Sequence, residues 1–195
     1  VAMNCDLELD WYGPFRWFGE FDVIFDCEYA KDKGLYLWLF PHETDHWVHY
    51  VGETGNTFHE RYLDHTRWYL AGFFGIWDLE ALTRGERRRR WDGLGNPGDK
   101  GQVSSVIAKH PTIAPVIHEY LKSIRILLAP FDGERRLRQR IEGAIADKLK
   151  NSTIPNVPGF LDIGRYTTVW STESVLTLSM NMPFPLRGLE SVLKV

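Results

Sequence analysis

The sequence predicts an α+β fold in which a small, mostly antiparallel β-sheet is flanked by helices, with strand extensions at both ends of the chain. Three features of the sequence predict it. The runs "GLYLWLF" (34–40) and "WVHYVG" (47–52) are separated by a short polar loop, "FHERYLDHTRWYL" (58–70) follows as a capped helix, and an amphipathic helix occupies 133–150. Two apolar runs joined by a loop of this length indicate an antiparallel hairpin. At 195 residues, without repeats or a low-complexity linker, the chain is expected to form one domain spanning 1–195.

The N-terminal part predicts strands with two distinct faces. Apolar residues alternate at Phe21, Val23, Phe25 and Cys27, which predicts a half-buried strand before the hairpin. Within 34–40, side chains of successive residues point to opposite faces of a strand. One face then holds three leucines and the other three aromatic residues, namely Leu35, Leu37 and Leu39 against Tyr36, Trp38 and Phe40.

A capping box predicts the start of the first helix. Thr57 is followed three residues later by Glu60, so the helix should begin near Phe58. Its buried stripe is predicted to comprise Phe58, Tyr62, Leu63, Tyr69 and Leu70. Arg61 and His65 lie four residues apart and therefore project from one face of this helix.

The rest of the chain divides into an irregular part, a helix and a strand-rich tail. Glycines at 72, 75, 85, 93, 95, 98 and 101 predict loops over about 71–115, and "APVIHEYLKSIRILLAP" predicts a short helix that leads into a strand.

Asp132 is the expected N-cap of the helix 133–150, with an apolar stripe at Leu137, Ile141, Ile145 and Leu149. Glu142 lies beside that stripe, and Gly143 indicates close packing. "RYTTVW" and "VLTLSMN" predict strands in the tail.

Charge is distributed unevenly along a chain whose net charge is −3. Residues 1–83 carry a net −10 and residues 84–150 a net +7, with nine arginines in "RGERRRR" (84–90) and "ERRLRQR" (134–140). Arginine suits phosphate recognition because its planar fork donates two hydrogen bonds and stays charged. The alternative is that these charges cover a solvated surface.

Composition also bears on the cellular compartment. No run of about 18 apolar residues occurs, so no membrane-spanning helix is expected. The two cysteines, Cys5 and Cys27, lack CxxC spacing, and "VAMNCDLELD" lacks the basic-then-apolar order of a secretory signal. Free thiols and a cytoplasmic location are the expectation.

The ordered set of "GLY" (34–36), "YVG" (50–52), Arg61 and His65 on the next helix and Glu142 on a later one resembles the GIY-YIG endonuclease superfamily, in particular its small bacterial members. The resemblance covers about 34–156. It implies an N-terminal extension over 1–33, a basic insertion over about 84–101 and a C-terminal β extension over 157–195.

What the resemblance implies is hydrolysis of a DNA phosphodiester at a site with one divalent metal ion, Mg²⁺ or Mn²⁺. Tyr36 and Tyr50 would be the paired site tyrosines, Arg61 would stabilise the charge on the scissile phosphate, and Glu142 would hold the metal. Asn156 in "IPN" is the nearest match to a downstream site asparagine, with Asn151 second. The basic insertion would contact DNA through Arg84, Arg87, Arg88, Arg89 and Arg90. No small-molecule cofactor is expected, and an oligomer is left open.

The general base is left open between two residues. A tyrosine titrates near pH 10 and a histidine near 6.5, so Tyr36 would act as a base only if neighbouring cations lowered its pKa. His65 would either relay the proton or be the base itself.

Each residue also has a purely structural interpretation. The tyrosines would be packing aromatics of the hairpin, and Arg61 would pair with Asp64 on the helix surface. Glu134 competes with Glu142 as the metal ligand, although Glu134 should lie in the exposed first turn of its helix. His42 and His46 have zinc-like spacing, but they are expected in a surface loop without further ligands.

The sequence therefore predicts a metal-dependent DNA endonuclease. The alternative is a non-catalytic module that binds nucleic acid or protein on a degenerate nuclease fold.

Overall fold

The computed structural model describes residues 6–42, 45–94, 100–152 and 172–195, apart from the side chains of 100–103, 105 and 106. The elements in chain order are β1 (Leu7–Asp10), β2 (Tyr12–Arg16), β3 (Gly34–His42), β4 (Asp45–Thr54), α1 (Phe58–Leu70), β5 (Ile76–Trp77), α2 (Leu79–Thr83), β6 (Arg89–Trp91), α3 (Lys100–Ser123), β7 (Arg125–Pro130), α4 (Arg135–Lys150), β8 (Thr177–Asn181) and β9 (Val192–Lys194).

The largest sheet has four antiparallel strands in the order β2-β7-β3-β4, so β4 is an edge strand. A second sheet, β1-β8-β9, joins the two ends of the chain, with β1 parallel and β9 antiparallel to β8. Strands β5 and β6 form a short antiparallel pair. The predicted α+β class, with mostly antiparallel sheets flanked by helices and strands at both ends, is confirmed.

The two faces of β3 pack into two separate cores, as its alternation predicts. The leucine face (Leu35, Leu37 and Leu39) packs with the stripe of α4 and with the β1-β8-β9 sheet. The aromatic face (Tyr36, Trp38 and Phe40) packs with α1 and α3. Because both faces of β3 are buried, its sequence is apolar at consecutive positions over 34–40.

The helix starts agree with the sequence in one case and differ in the other. Both hydrogen bonds of the predicted capping box are present, between Thr57 and Glu60. By contrast, α4 begins at Arg135 after Glu134, and Asp132 is not its N-cap. The carboxylate of Asp132 instead pairs with Lys33 Nζ at 2.5 Å. Leu70 was expected in the buried stripe of α1 but is 52% exposed, because the buried face follows Phe58, Tyr62, His65 and Tyr69 and Leu70 lies about 100° further round the helix.

Two other local predictions are wrong. Residues 21–27 form bends and turns, with Phe21 75% exposed, because the chain pairs only at Val23, in a single bridge with Arg16. The expected loops over 71–115 contain β5, α2, β6 and the first part of α3. Helix α3 continues through Pro111 and Pro115, since helically spaced side chains on it are buried, namely Ile113, Ile117, Tyr120 and Leu121.

In the tail, "VLTLSMN" contains β8, whereas "RYTTVW" lies outside the described residues. Among the helices of the described ranges, none combines the length and the apolar character needed to cross a membrane.

Candidate active site

Tyr36 of "GLY" (34–36) and Gly52 of "YVG" (50–52) lie opposite each other in neighbouring strands, β3 and β4. The side chain of Tyr36 is fully buried. A Cβ atom at position 52 would overlap Cζ and Oη of Tyr36 and would lie 2.8 Å from Cε2, closer than real Cβ contacts come. The glycine therefore allows the tyrosine ring to lie across β4, with its hydroxyl group at the edge strand.

Helix α1 brings two polar side chains to that hydroxyl group. The capping box fixes where the helix begins and so which residues face the sheet. Arg61 Nε donates to Tyr36 Oη at 3.0 Å, and His65 Nε2 lies 3.0 Å from the same oxygen. Asp64, the surface partner considered for Arg61, pairs instead with Arg67 at 3.2 Å.

Burial controls the protonation of these groups. It raises the pKa of Tyr36 well above the usual 10, with Tyr50 adding to the rise and Arg61 offsetting only part of it. It lowers the pKa of His65 well below 6.5, and the charge of Arg61 acts in the same direction. Burial opposes the charge of Arg61 as well, but its interactions with Tyr36 and Tyr50 raise its pKa. At pH 7 the cluster thus contains neutral phenols, a neutral imidazole and one guanidinium cation.

Tyr50 extends this cluster towards the surface. Its ring is half-buried, lies 5.9 Å from the ring of Tyr36 and 4.5 Å from that of Trp38, and its hydroxyl group hydrogen-bonds with Arg61. The structure therefore brings together four of the predicted site residues, which are Tyr36, Tyr50, Arg61 and His65.

Glu142 reaches the same edge strand from the other side of the sheet. Helix α4 packs on the leucine face, and the half-buried Glu142 accepts a hydrogen bond at 3.1 Å from the backbone N–H of Glu53. Glu53 directly follows Gly52, over which the Tyr36 ring lies. The Glu142 carboxylate and the end of the Tyr36 ring therefore lie at consecutive residues of β4, on opposite faces of the sheet. The carboxylate of Glu53 itself is bound by Arg138, with Nε at 2.9 Å.

A divalent metal ion is compatible with this carboxylate. The described part of the chain contains no group of three or more histidine, cysteine, aspartate or glutamate side chains placed to hold a metal. Mg²⁺, however, usually keeps several waters and takes one or two carboxylates together with substrate phosphates, and Mn²⁺ has similar oxygen preferences. Glu142 has the carboxylate chemistry that such an ion takes, and the backbone N–H of Glu53 orients this half-buried side chain. Glu134 is exposed at the start of α4, as expected.

His42 and His46, which have zinc-like spacing, were expected in a surface loop. The structure places His42 in β3 and His46 in β4. His42 stacks on Trp47 with a ring distance of 4.2 Å, and His46 stacks on Phe184 at 4.6 Å. The strands are longer than the apolar runs that predicted them, because pairing continues through His42 and Asp45.

All five arginines of the first block are exposed, and one of them also lines a cavity. Arg84, Arg88 and Arg90 form exposed ion pairs with Glu86, Asp78 and Glu119, respectively. Arg87 is exposed. Arg89 is different, because its guanidinium carbon lies 4.7 Å from the ring centre of Trp77 and its side chain lines the cavity described below.

The second arginine block has a structural role. Arg138 binds Glu53, and Arg140 donates to the carbonyls of Ser174 and Val195, so both side chains are buried against the protein itself. Arg136 pairs with Glu173. Asn156 lies outside the described residues, and Asn151 ends α4, where its amide bonds to Asp147.

A cavity of about 410 Å³ opens beside the cluster, and Tyr50, Arg61 and His65 form part of its wall. The rest of the wall includes Trp68 from the end of α1, Phe74 and Trp77 from the segment that follows it, and Tyr120 from α3. His49 closes one side, and its Nε2 lies 2.7 Å from Tyr120 Oη. Burial lowers the pKa of His49 to about 3.

Sequence reasoning named Arg89 as a DNA contact without distinguishing it from its neighbours, and it missed His49 and Tyr120 as residues of this region. The sequence does not distinguish Arg89 from the other four arginines of its block. Arg89 lies in β6 opposite Trp77 of β5, and both residues line the cavity. The contact between His49 and Tyr120 joins residues 71 positions apart, and no local pattern signals it. The aromatic face of β3 was visible in the sequence through its period of two.

Comparison of the chain with protein-family models, with curated proteins and with solved structures gives no match in any of the three.

Proposed function

We propose that this protein is a metal-dependent DNA endonuclease that hydrolyses phosphodiester bonds at the cluster around Tyr36. The proposal rests mainly on one observation. Arg61 and His65 both contact the hydroxyl group of a fully buried tyrosine at 3.0 Å. Holding a cation and a neutral imidazole at a fixed separation is what hydrolysis of a phosphate ester requires, since charge grows on the phosphoryl oxygens while water loses a proton.

Arg61 is the residue that stabilises the phosphate. Its guanidinium has five N–H donors, of which Nε is used by Tyr36. Bonds with Tyr36 and Tyr50 restrict the side chain to one position at the cavity wall. Its remaining donors are then preorganised for the developing negative charge, the arrangement that contributes most in reactions of this kind.

His65 is the proton acceptor, and Tyr36 positions it. Tyr36 stays protonated because its pKa is raised, and it is fully buried, so it does not reach an attacking water. His65 is neutral because its pKa is lowered, and it lines the cavity. In the tautomer whose proton is on Nε2, that N–H donates to Tyr36 Oη, and Nδ1 carries the lone pair that takes the proton from water.

Glu142 would hold Mg²⁺ or Mn²⁺, which when bound supplies Lewis-acid polarisation of the phosphate. The chain's contribution is to fix the Glu142 carboxylate through the N–H of Glu53, one residue beyond Gly52 and the ring of Tyr36.

Cleavage of supercoiled plasmid in Mg²⁺ or Mn²⁺ tests the proposal. We expect nicking by the wild-type protein and a loss of about 10²–10³-fold in Arg61→Gln, the size associated with one transition-state donor. Glu142→Gln should lose activity similarly, whereas Glu134→Gln, a matched carboxylate at the exposed start of the same helix, should retain it. Wild-type protein that leaves plasmid and branched DNA intact in both metals would refute the proposal.

The identity of the base is tested by a second pair of variants. His65→Ala should lose about 10²–10⁴-fold in rate, as removal of a general base does. Tyr36→Phe, which removes only the positioning hydroxyl group, should lose less. An equal or larger loss in Tyr36→Phe would assign the proton transfer to the tyrosine.

Binding of nucleic acid without cleavage is the second candidate. It is favoured by the near-complete burial of Tyr36 and His65, which are 0% and 4% exposed. DNA binding that is unchanged in Glu142→Gln, together with no cleavage by the wild-type protein, would establish this second function.

A further inference from the structure

The cavity beside the cluster has a composition that the proposed function does not explain. Besides Tyr50, its wall contains six aromatic residues that no hydrolysis step needs, namely Trp38, Trp68, Tyr69, Phe74, Trp77 and Tyr120. At about 410 Å³ it lies in the lower part of the size range of small-molecule sites, roughly 300–1,000 Å³.

The charge of the cavity favours an anionic ligand. Arg61 and Arg89 both line it, and the lining among the described residues includes no aspartate or glutamate. The two histidines of the wall are neutral at pH 7, since burial lowers the pKa of His49 to about 3 and that of His65 well below 6.5. The positive charge therefore comes from two guanidinium groups that do not titrate.

Trp68 is the most exposed aromatic residue of this wall. Tyr50 is packed against Tyr36 and Trp38, and one face of Trp77 is covered by the guanidinium of Arg89. Trp68, on α1, is 38% exposed, although its ring contacts Phe73 edge to face at 5.0 Å and lies 6.3 Å from the tilted ring of Phe74. A planar ligand that enters the cavity can therefore lie only on the part of Trp68 that these two rings leave exposed.

We propose that this cavity receives one unpaired nucleotide of a DNA strand, with its base stacked on Trp68 and its phosphate bound by Arg61 and Arg89. A planar aromatic group joined to a phosphate matches a wall of aromatic rings with two arginines. A base inside a duplex has both faces covered, so an unpaired or extruded base is required. The inference rests on the proposed function, because Arg61 is shared between the cavity and the cluster. The substrate would be DNA with an unpaired nucleotide next to the cleaved phosphate.

Binding measured in EDTA tests the inference separately from cleavage. The full-length protein is titrated into a labelled duplex with one unpaired adenine and into the same duplex fully paired, and fluorescence anisotropy is recorded. We expect tighter binding of the duplex with the unpaired base. Trp68→Ala should reduce that preference by roughly 5- to 150-fold, the size of one lost base stack.

Variants of other exposed or aromatic positions keep the test specific. Trp68→Phe should retain most of the preference, and Phe21→Ala, an exposed aromatic outside the cavity, should retain all of it. Arg89→Gln should weaken binding of the duplex with the unpaired adenine more than binding of the fully paired duplex, because Arg89 binds the phosphate of the inserted nucleotide. Circular dichroism of each variant checks that the fold is intact.

Two results would overturn the inference. One is equal affinity of the wild-type protein for the two duplexes. The other is tighter binding of free deoxyadenosine monophosphate than of the duplex with the unpaired base, which would assign the cavity to a free nucleotide. Preferential binding with no cleavage in any metal would leave the inference standing and remove the endonuclease proposal.

Discussion

Replacing Gly52 with alanine is expected to destabilise the protein through a single contact. The new Cβ would overlap the end of the Tyr36 ring and would lie 2.8 Å from Cε2. That ring cannot move away easily, because it is fully buried and packed against Tyr62 with ring centres 5.4 Å apart. Overpacking of this kind costs about 1–3 kcal/mol of the free energy of unfolding.

The prediction is measured by urea denaturation in a double-mutant cycle. Tyr36→Leu removes the atoms that the new methyl group would meet, so Gly52→Ala should cost at least about 1 kcal/mol less in that background. The effect of alanine on the unfolded chain is the same in both backgrounds and cancels. Gly75→Ala should cost less than Gly52→Ala, since its Cβ would lie 3.3 Å from the backbone oxygen of Asp92, a tight contact without overlap. An equal cost of Gly52→Ala with and without the Tyr36 ring would refute the reasoning.

Three further predictions concern stability. Burial lowers the pKa of His49 to about 3, so between pH 6.5 and 3 the unfolded chain binds a proton there that the folded chain does not. The free energy of unfolding should then fall on acidification by up to about 1.4 kcal/mol per pH unit from this residue. A pH slope in His49→Gln as steep as that of the wild type would contradict this. Thr57→Ala should cost about 1 kcal/mol by removing the cap of α1, as judged by thermal unfolding, and Thr57→Ser should cost less; equal losses would argue against a capping role. Arg138→Met should cost about 3–5 kcal/mol in urea because it leaves the carboxylate of Glu53 buried without its cation, and adding Glu53→Gln should recover part of that loss. No recovery in the double variant would indicate that the pair is not coupled.

Local signals in the sequence were sufficient where one residue's chemistry determines the structure nearby. The capping box predicted the start of α1, and the period of two predicted which residues of β3 share a face. Asp132 failed as a cap because Lys33, from a distant part of the chain, binds its carboxylate. The alternation at 21–27 failed because a strand requires a pairing partner, and only Val23 has one.

The sequence by itself determined the α+β class, the hairpin, the phase of α1 and the placement of Arg61 and His65 on one helix face. These follow from periodicity and capping, which act within a few residues. The tertiary structure decided that Tyr36 lies over Gly52, that both polar groups of α1 contact its hydroxyl group, and that Arg89 lines a cavity while its neighbours form surface ion pairs. Such contacts depend on strand register and on packing between distant segments. No spacing within the chain encodes these distances, because they are fixed only when the two cores form.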